Sequence, residues 1–211
     1  MKNDHSEINY QDHWDAAYTR TPNEKLGWYE EDLSPTFRLL DQCHPLPQSK
    51  MLIAGAGSTT LVDELLNKGF SNLIATDISK VSLNNLTKRV GAKKIETIVD
   101  DLSQPEQLSQ LSSVDIWIDR AVLHFLIEEN DQNTYFELLK SKVKTGGYAL
   151  FAEFTIGGAT KCCGLPIKQY ENNHFTEKLG NDFKMVNTFE HTYYNPNGDP
   201  RKYIYSLFKR K

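Results

Sequence analysis

No apolar run among the 211 residues approaches the roughly 20 needed for a membrane-spanning helix, and the richest stretch is broken by Asp119, Arg120 and His124. Cysteine is scarce. Cys43, Cys162 and Cys163 form an odd set without metal-ligand spacing, which argues against a disulfide framework or metal site and fits free thiols in a reducing compartment. Positive charge is not in excess: the formal net charge is −4, which argues against a nucleic-acid binder driven by charge. Met1 to Tyr10 is polar and has no signal-peptide core, so a cytoplasmic protein with no membrane partner is expected. There is no Gly-Lys-Ser/Thr and therefore no P-loop. Repeats and low-complexity segments are missing too. What remains is 39% hydrophobic and 25% charged, too apolar for disorder and sized for one domain spanning 1–211.

Strands and helices alternate from Lys50 onward. Met51-Leu52-Ile53-Ala54 is a short continuous apolar run ending in Gly55, the pattern of a strand buried on both faces. Leu61, Val62, Leu65 and Leu66 share one side of a helix, with Thr60 and Asp63 as a capping box and Gly69 at its end. Leu73 to Asp77 is a second strand, and Ser79 opens a helix that Val90-Gly91 closes. Glu96 to Val99 and Val114 to Ile118 are the third and fourth strands. A helix with Tyr135, Phe136, Leu138 and Leu139 leads to Gly146-Gly147, and Tyr148 to Phe154 is a fifth strand. The ending differs. Phe183 to Tyr193 and Lys202 to Lys209 are β-rich runs joined by Asn195-Pro196-Asn197-Gly198-Asp199-Pro200, an antiparallel hairpin. The expected fold is α/β: a doubly wound, mostly parallel seven-stranded sheet, Rossmann-like, closed by that hairpin.

In such a sheet, ligands bind beyond the carboxyl ends of the strands, where strand order reverses. The loop Gly55-Ala56-Gly57-Ser58-Thr59-Thr60 follows strand one, and its glycines let a ligand approach the backbone. The helix after it would offer free N–H groups to a carboxylate. Asp77 ends strand two, 22 positions after Gly55, where an acid accepts from both hydroxyls of a ribose. Together these indicate an adenosine-containing ligand. The third glycine of the dinucleotide pattern is replaced by Thr60, so the phosphate-binding fingerprint fails. S-adenosylmethionine carries no phosphate and does not need that glycine.

Lys50 to Ser79, Asp100 to Ser103, Val114 to Leu126 and the terminal hairpin resemble a class I S-adenosylmethionine-dependent methyltransferase over roughly residues 10–211. The glycine loop with Asn72 to Ser79, and the pair His13-Trp14-Asp15 and Gly27-Trp28-Tyr29, resemble the branch that contains the elongation-factor lysine methyltransferases. Asp119 to Leu126 and Cys163-Gly164-Leu165-Pro166 are more like uncharacterised bacterial members. The resemblance implies that Gly55, Ala56 and Gly57 line the methionine end and that Asp77, with Ile78 beside it, binds the ribose. It also implies that Asp101 accepts from the adenine amino group while the Leu102 N–H meets a ring nitrogen. Asp119 and Arg120 would lie beneath the methionine moiety with Ala121 beside it. Residues 1–49 would form a helical lid over a core of 50–211, with Trp28 touching the cofactor. The acid common on the first strand of the family is Ile53 here, which removes a carboxylate that would orient the ligand's ammonium.

Methyl transfer from a sulfonium needs alignment more than it needs a catalytic triad. On the acceptor side, His124 is a candidate base or a packed, hydrogen-bonded histidine. Arg120 would hold an acidic substrate or pair with Asp119 or Glu153, and Glu153 would bind a cationic acceptor or cap a helix. Cys162 and Cys163 would lie near the mouth of the site, as plain loop residues or as thiols that bind a soft metalloid or accept a methyl group. The expected activity is methyl transfer to a small molecule, or alternatively to a protein lysine. An NAD-dependent oxidoreductase and a non-catalytic binding module are the readings from other classes. The oligomeric state is not legible.

Overall fold

The computed structural model describes residues 9–92 and 94–211; the first eight residues of the polar N-terminal stretch lie outside it. Helices α1 (Tyr10–Arg20) and α2 (Ser34–Leu40) precede β1 (Met51–Ala54), α3 (Leu61–Asn67), β2 (Leu73–Asp77), α4 (Lys80–Val90) and β3 (Glu96–Val99). Then come β4 (Val114–Arg120), α5 (Glu129–Lys142), β5 (Val143–Phe154), the small pair β6 (Lys161–Cys162) and β7 (Leu165–Pro166), α6 (Asn172–Leu179), β8 (Phe183–Tyr194) and β9 (Pro200–Arg210).

Seven strands form one sheet in the order β3-β2-β1-β4-β5-β9-β8. The five strands from β3 to β5 run parallel, whereas β9 is antiparallel to β5 and β8 antiparallel to β9. The fold is therefore the expected Rossmann-like sheet with its closing hairpin. Alternation along β1 explains its unbroken apolar run. Met51 and Ile53 join the layer under α2, α3 and α4, while Leu52 and Ala54 join the layer under α5 and α6. Strand order reverses between β1 and β4, so the crevice beyond their carboxyl ends is where a ligand belongs.

Two local expectations differ. β5 starts at Val143 rather than Tyr148, because a bulge opposite Val114–Ile116 absorbs the glycines, Gly146 having φ +81. The Thr60–Asp63 capping box does not form, since the Thr60 hydroxyl donates to the Glu30 carbonyl and Thr59 Oγ1 accepts the Leu61 N–H instead. No helix among the described residues is long and apolar enough to cross a membrane.

Candidate active site

A cavity of about 320 Å³ opens at the predicted crevice. Its floor carries Gly55, Asp77, Ile78, Asp101, Leu102, Arg120 and Ala121. Its other wall carries Trp14, Tyr18, Trp28, Phe125, Leu126 and Cys162. The first group comes from the ends of β1, β2, β3 and β4, and the second from α1, the segment after it, the short turn of helix that follows β4 and the end of β6.

The glycine loop is tied to the end of β2. Ala56 N–H donates to the Thr76 carbonyl at 2.8 Å, and Gly57 N–H donates to Asp77 Oδ2 at 2.8 Å. Asp77 Oδ1 accepts the Ser79 N–H at 2.8 Å. Each oxygen keeps a second lone pair for a ribose hydroxyl. Burial pushes the Asp77 carboxyl up to about 6, against the lowering effect of those two N–H groups. Gly55 has φ +53, and a Cβ there would overlap the Val122 side chain, so the ligand-facing turn requires glycine. Asp101 lines the cavity and uses Oδ1 for the Ser103 N–H and hydroxyl.

Four expectations about this end are corrected. Gly57 does not line the cavity, because the Tyr18 hydroxyl covers it. Ala56 is not on this cavity but on a smaller adjoining one, which shares Trp28, Gly55 and Arg120 with it. At the helix that follows, the leading N–H, that of Leu61, is not free for a carboxylate, because Thr59 Oγ1 accepts it. Asp119 is fully buried and turned away from the cavity, accepting from the Tyr135 hydroxyl at 2.6 Å while Trp117 Nε1 donates to that hydroxyl at 2.9 Å.

Arg120 pairs with neither Asp119 nor Glu153. Its Nε lies 2.9 Å from Glu30 Oε2, its Nη1 donates to the Trp28 carbonyl, and its guanidinium stacks over Tyr193 and Tyr203. Burial would lower Arg120, but the charge of Glu30 overcomes this and holds it above its ordinary range. Burial raises Glu30 in turn, with Arg120 opposing. The acid missing at Ile53 thus has a spatial counterpart, since Glu30 and Ile53 line the same small cavity. Sequence reasoning missed Glu30; the signal was an acid directly after Trp28-Tyr29.

Glu153 is not available to an acceptor. It is fully buried, and its Oε2 lies 2.6 Å from His124 Nδ1. His124 is buried as well and does not line the cavity. Burial lowers the imidazole, yet Glu153 outweighs this and the net shift is upward. Asp119 Oδ1 and Glu153 Oε1 have no donor, and burial followed by the neighbouring Glu153 charge pushes Asp119 well up.

Residues 52–151 match the family model described as a methyltransferase domain. Over 159 residues the chain is 25% identical to EEF1A lysine methyltransferase 2 of Danio rerio, covering 68% of this chain and 67% of that protein. The match to the longer eEF1A lysine and N-terminal methyltransferase of Danio rerio is 21% identical and spans 59% of this chain and 18% of the relative. The fold is similar to a solved SAM-dependent methyltransferase of Anabaena variabilis, with a TM-score of 0.78 at 17% identity over 97% of this chain and 96% of that one. It is also similar to the N-methyltransferase NodS of Bradyrhizobium japonicum in complex with S-adenosylhomocysteine, at TM-score 0.69 and 13% identity over 96% and 99% of the two chains. The chain is a class I S-adenosylmethionine-dependent methyltransferase. The oxidoreductase alternative is set aside. The cavity of the methyltransferase suits its cofactor: a buried carboxylate at the end of β2 and a second acid after β3 match a ribose and an adenine.

Proposed function

We propose that the methyltransferase acts on a small-molecule acceptor held on the aromatic half of the cavity. The observation that carries this reading is that Tyr10, Trp14, Tyr18 and Trp28 line the same cavity as Gly55 and Asp77. An acceptor that reaches the methyl group then lies under residues of the first 49, which act as a lid on the core of 50–211. Trp14 packs edge-on against Trp28 and Phe125, with ring centroids 5.5 and 4.9 Å apart. Asp15 ties α1 down by accepting the Ser79 hydroxyl at 2.6 Å and the Val81 N–H at 3.2 Å.

When bound, S-adenosylmethionine supplies an activated sulfonium methyl group. Asp77 holds the ribose, Asp101 and the Leu102 N–H hold the adenine, and Gly55 and Ala121 lie at the methionine end. The aromatic wall excludes water and aligns the acceptor, and that alignment supplies most of the acceleration. A second reading, a protein lysine acceptor, draws support from the names of the EEF1A lysine methyltransferase relatives.

A transfer assay with labelled methyl groups on fractionated cell lysate separates these readings. Label in the small-molecule fraction is expected. Label confined to a protein favours the lysine reading, and no label in either fraction favours a non-catalytic binding module.

A further inference from the structure

Asp77 is oriented from two sides, by the Gly57 N–H on Oδ2 and the Ser79 N–H on Oδ1, each at 2.8 Å. Both donors are held in turn by α1. Ser79 is the N-cap of α4, and its buried hydroxyl accepts the Ser82 N–H at 3.1 Å. A hydroxyl has one proton, and Ser79 gives it to Asp15 Oδ1 at 2.6 Å. The same Asp15 oxygen accepts the Val81 N–H at 3.2 Å, a group that α4 cannot satisfy from within. Asp15 thus closes the first turn of α4 from 64 positions away, with its negative charge at the positive end of that helix. Tyr18 stands three residues further along α1, on the same side. Its hydroxyl lies over Gly57, where a Cβ would overlap it, and accepts from Trp28 Nε1 at 3.0 Å. Tyr18 lines the cavity, whereas Asp15 does not.

We infer that Asp15 is a positioning residue for the cofactor site: through the Ser79 hydroxyl it sets the turn whose N–H orients Asp77, and α1 thereby governs cofactor affinity without Asp15 touching the cofactor. The inference rests on the cofactor reading above. A carboxylate at a strand end turns freely about its side-chain bonds unless donors fix its plane. A ribose diol uses that plane, because each hydroxyl needs its own oxygen. Without Asp15, the Ser79 hydroxyl and the Val81 N–H lose their acceptor, and the Ile78–Ser79 turn is released to satisfy them elsewhere. An Asp77 that follows the turn keeps one oxygen on the ribose at most.

The titratable groups facing Asp77 are Asp15 and Tyr18 from α1; Asp100 and Asp101 after β3, and Arg120 of β4, border the same cavity. Tyr18 is a neutral phenol, held well above its ordinary range first by burial and then by the Asp77 charge. Burial is the largest influence on Asp77 and raises it to about 6; the Ser79 N–H opposes burial, and the Asp15 charge adds to it more weakly.

The test measures S-adenosylhomocysteine binding to the full chain by calorimetry across the acid range, with folding checked by circular dichroism. Asp15→Ala should weaken binding about tenfold at pH 7. Asp15→Asn keeps an acceptor oxygen and should recover most of that loss. The two substitutions should move the pH at which binding falls away in opposite directions. Asp15→Ala loosens the Ser79 N–H from Asp77 and moves it above about 6, while Asp15→Asn keeps that bond, removes a charge and moves it below. Ser79→Ala should weaken binding as Asp15→Ala does, and the double variant should bind no more weakly than either. If Asp15→Ala does not fold, the Asp15→Asn profile and the Ser79→Ala affinity decide the matter. Folded Asp15→Ala within about threefold of the wild type, an unmoved profile in Asp15→Asn, or unchanged affinity in Ser79→Ala overturns the positioning role and leaves the cofactor reading standing. No binding of S-adenosylhomocysteine by the wild type overturns the cofactor reading and this inference with it.

Discussion

The two halves of the cavity are built by different means. On the cofactor half the supporting bonds are short in sequence: Asp101 holds Ser103, and Asp77 holds Ser79, each two positions on, with Gly57 20 positions back. On the aromatic half, Asp15 of α1 reaches the Ser79 hydroxyl across 64 positions, and the Trp28 carbonyl is held by Arg120 across 92. The first half depends on turns and backbone donors that one loop can carry intact. The second depends on side chains that meet only after the sheet and the N-terminal segment have assembled. The cofactor's direct contacts are therefore a property of local segments, while the acceptor environment is a property of the whole fold and free to vary with each contributing segment.

That contrast is broken most forcefully at Glu30. Glu30→Ala leaves the Arg120 guanidinium buried without its partner and should cost about 3–5 kcal/mol in chemical denaturation. A loss below about 1 kcal/mol would mean the ion pair does not anchor the N-terminal segment. On the cofactor half, Asp77→Ala removes the proposed ribose acceptor and the partner of both the Gly57 and Ser79 N–H groups. S-adenosylhomocysteine affinity by calorimetry should fall about 100-fold, and a change under threefold would misplace the site.

Acid sharpens the same contrast. The folded Asp77 carboxyl, at about 6, lies above its unfolded value of 3.8. Its own contribution to stability is therefore present below about pH 4 and lost as pH rises through about 6. Affinity runs the other way, because the ionised form is the better acceptor. S-adenosylhomocysteine should bind about tenfold more weakly at pH 5 than at pH 7. The smallest effect is expected at Trp28→Phe. Loss of the 3.0 Å bond from Trp28 Nε1 to the Tyr18 hydroxyl should lower stability by about 1 kcal/mol in a thermal melt.

The same contrast governs what was legible in the sequence. β1, its glycine turn and Asp77 are contiguous signals, and the apolar run of β1 could be read because both sheet faces are covered. The closing hairpin was equally plain from its turn residues. Asp119 was misplaced because residue type and position on β4 do not reveal which face a side chain takes. Gly57 was misplaced because the Tyr18 hydroxyl comes from 39 positions away. The pairs Glu30–Arg120 and His124–Glu153 join segments whose meeting no periodicity records. Cys162 was noted as a thiol near the mouth, and it lines the cavity.

The central claim is that the cofactor half and the aromatic half, with Cys162 on its wall, face one cavity. The direct measurement is the rate of iodoacetamide alkylation at Cys162, read by peptide mapping with and without saturating S-adenosylhomocysteine at constant pH. The account predicts that bound S-adenosylhomocysteine protects Cys162. Alkylation at an unchanged rate in the fully bound protein would contradict it.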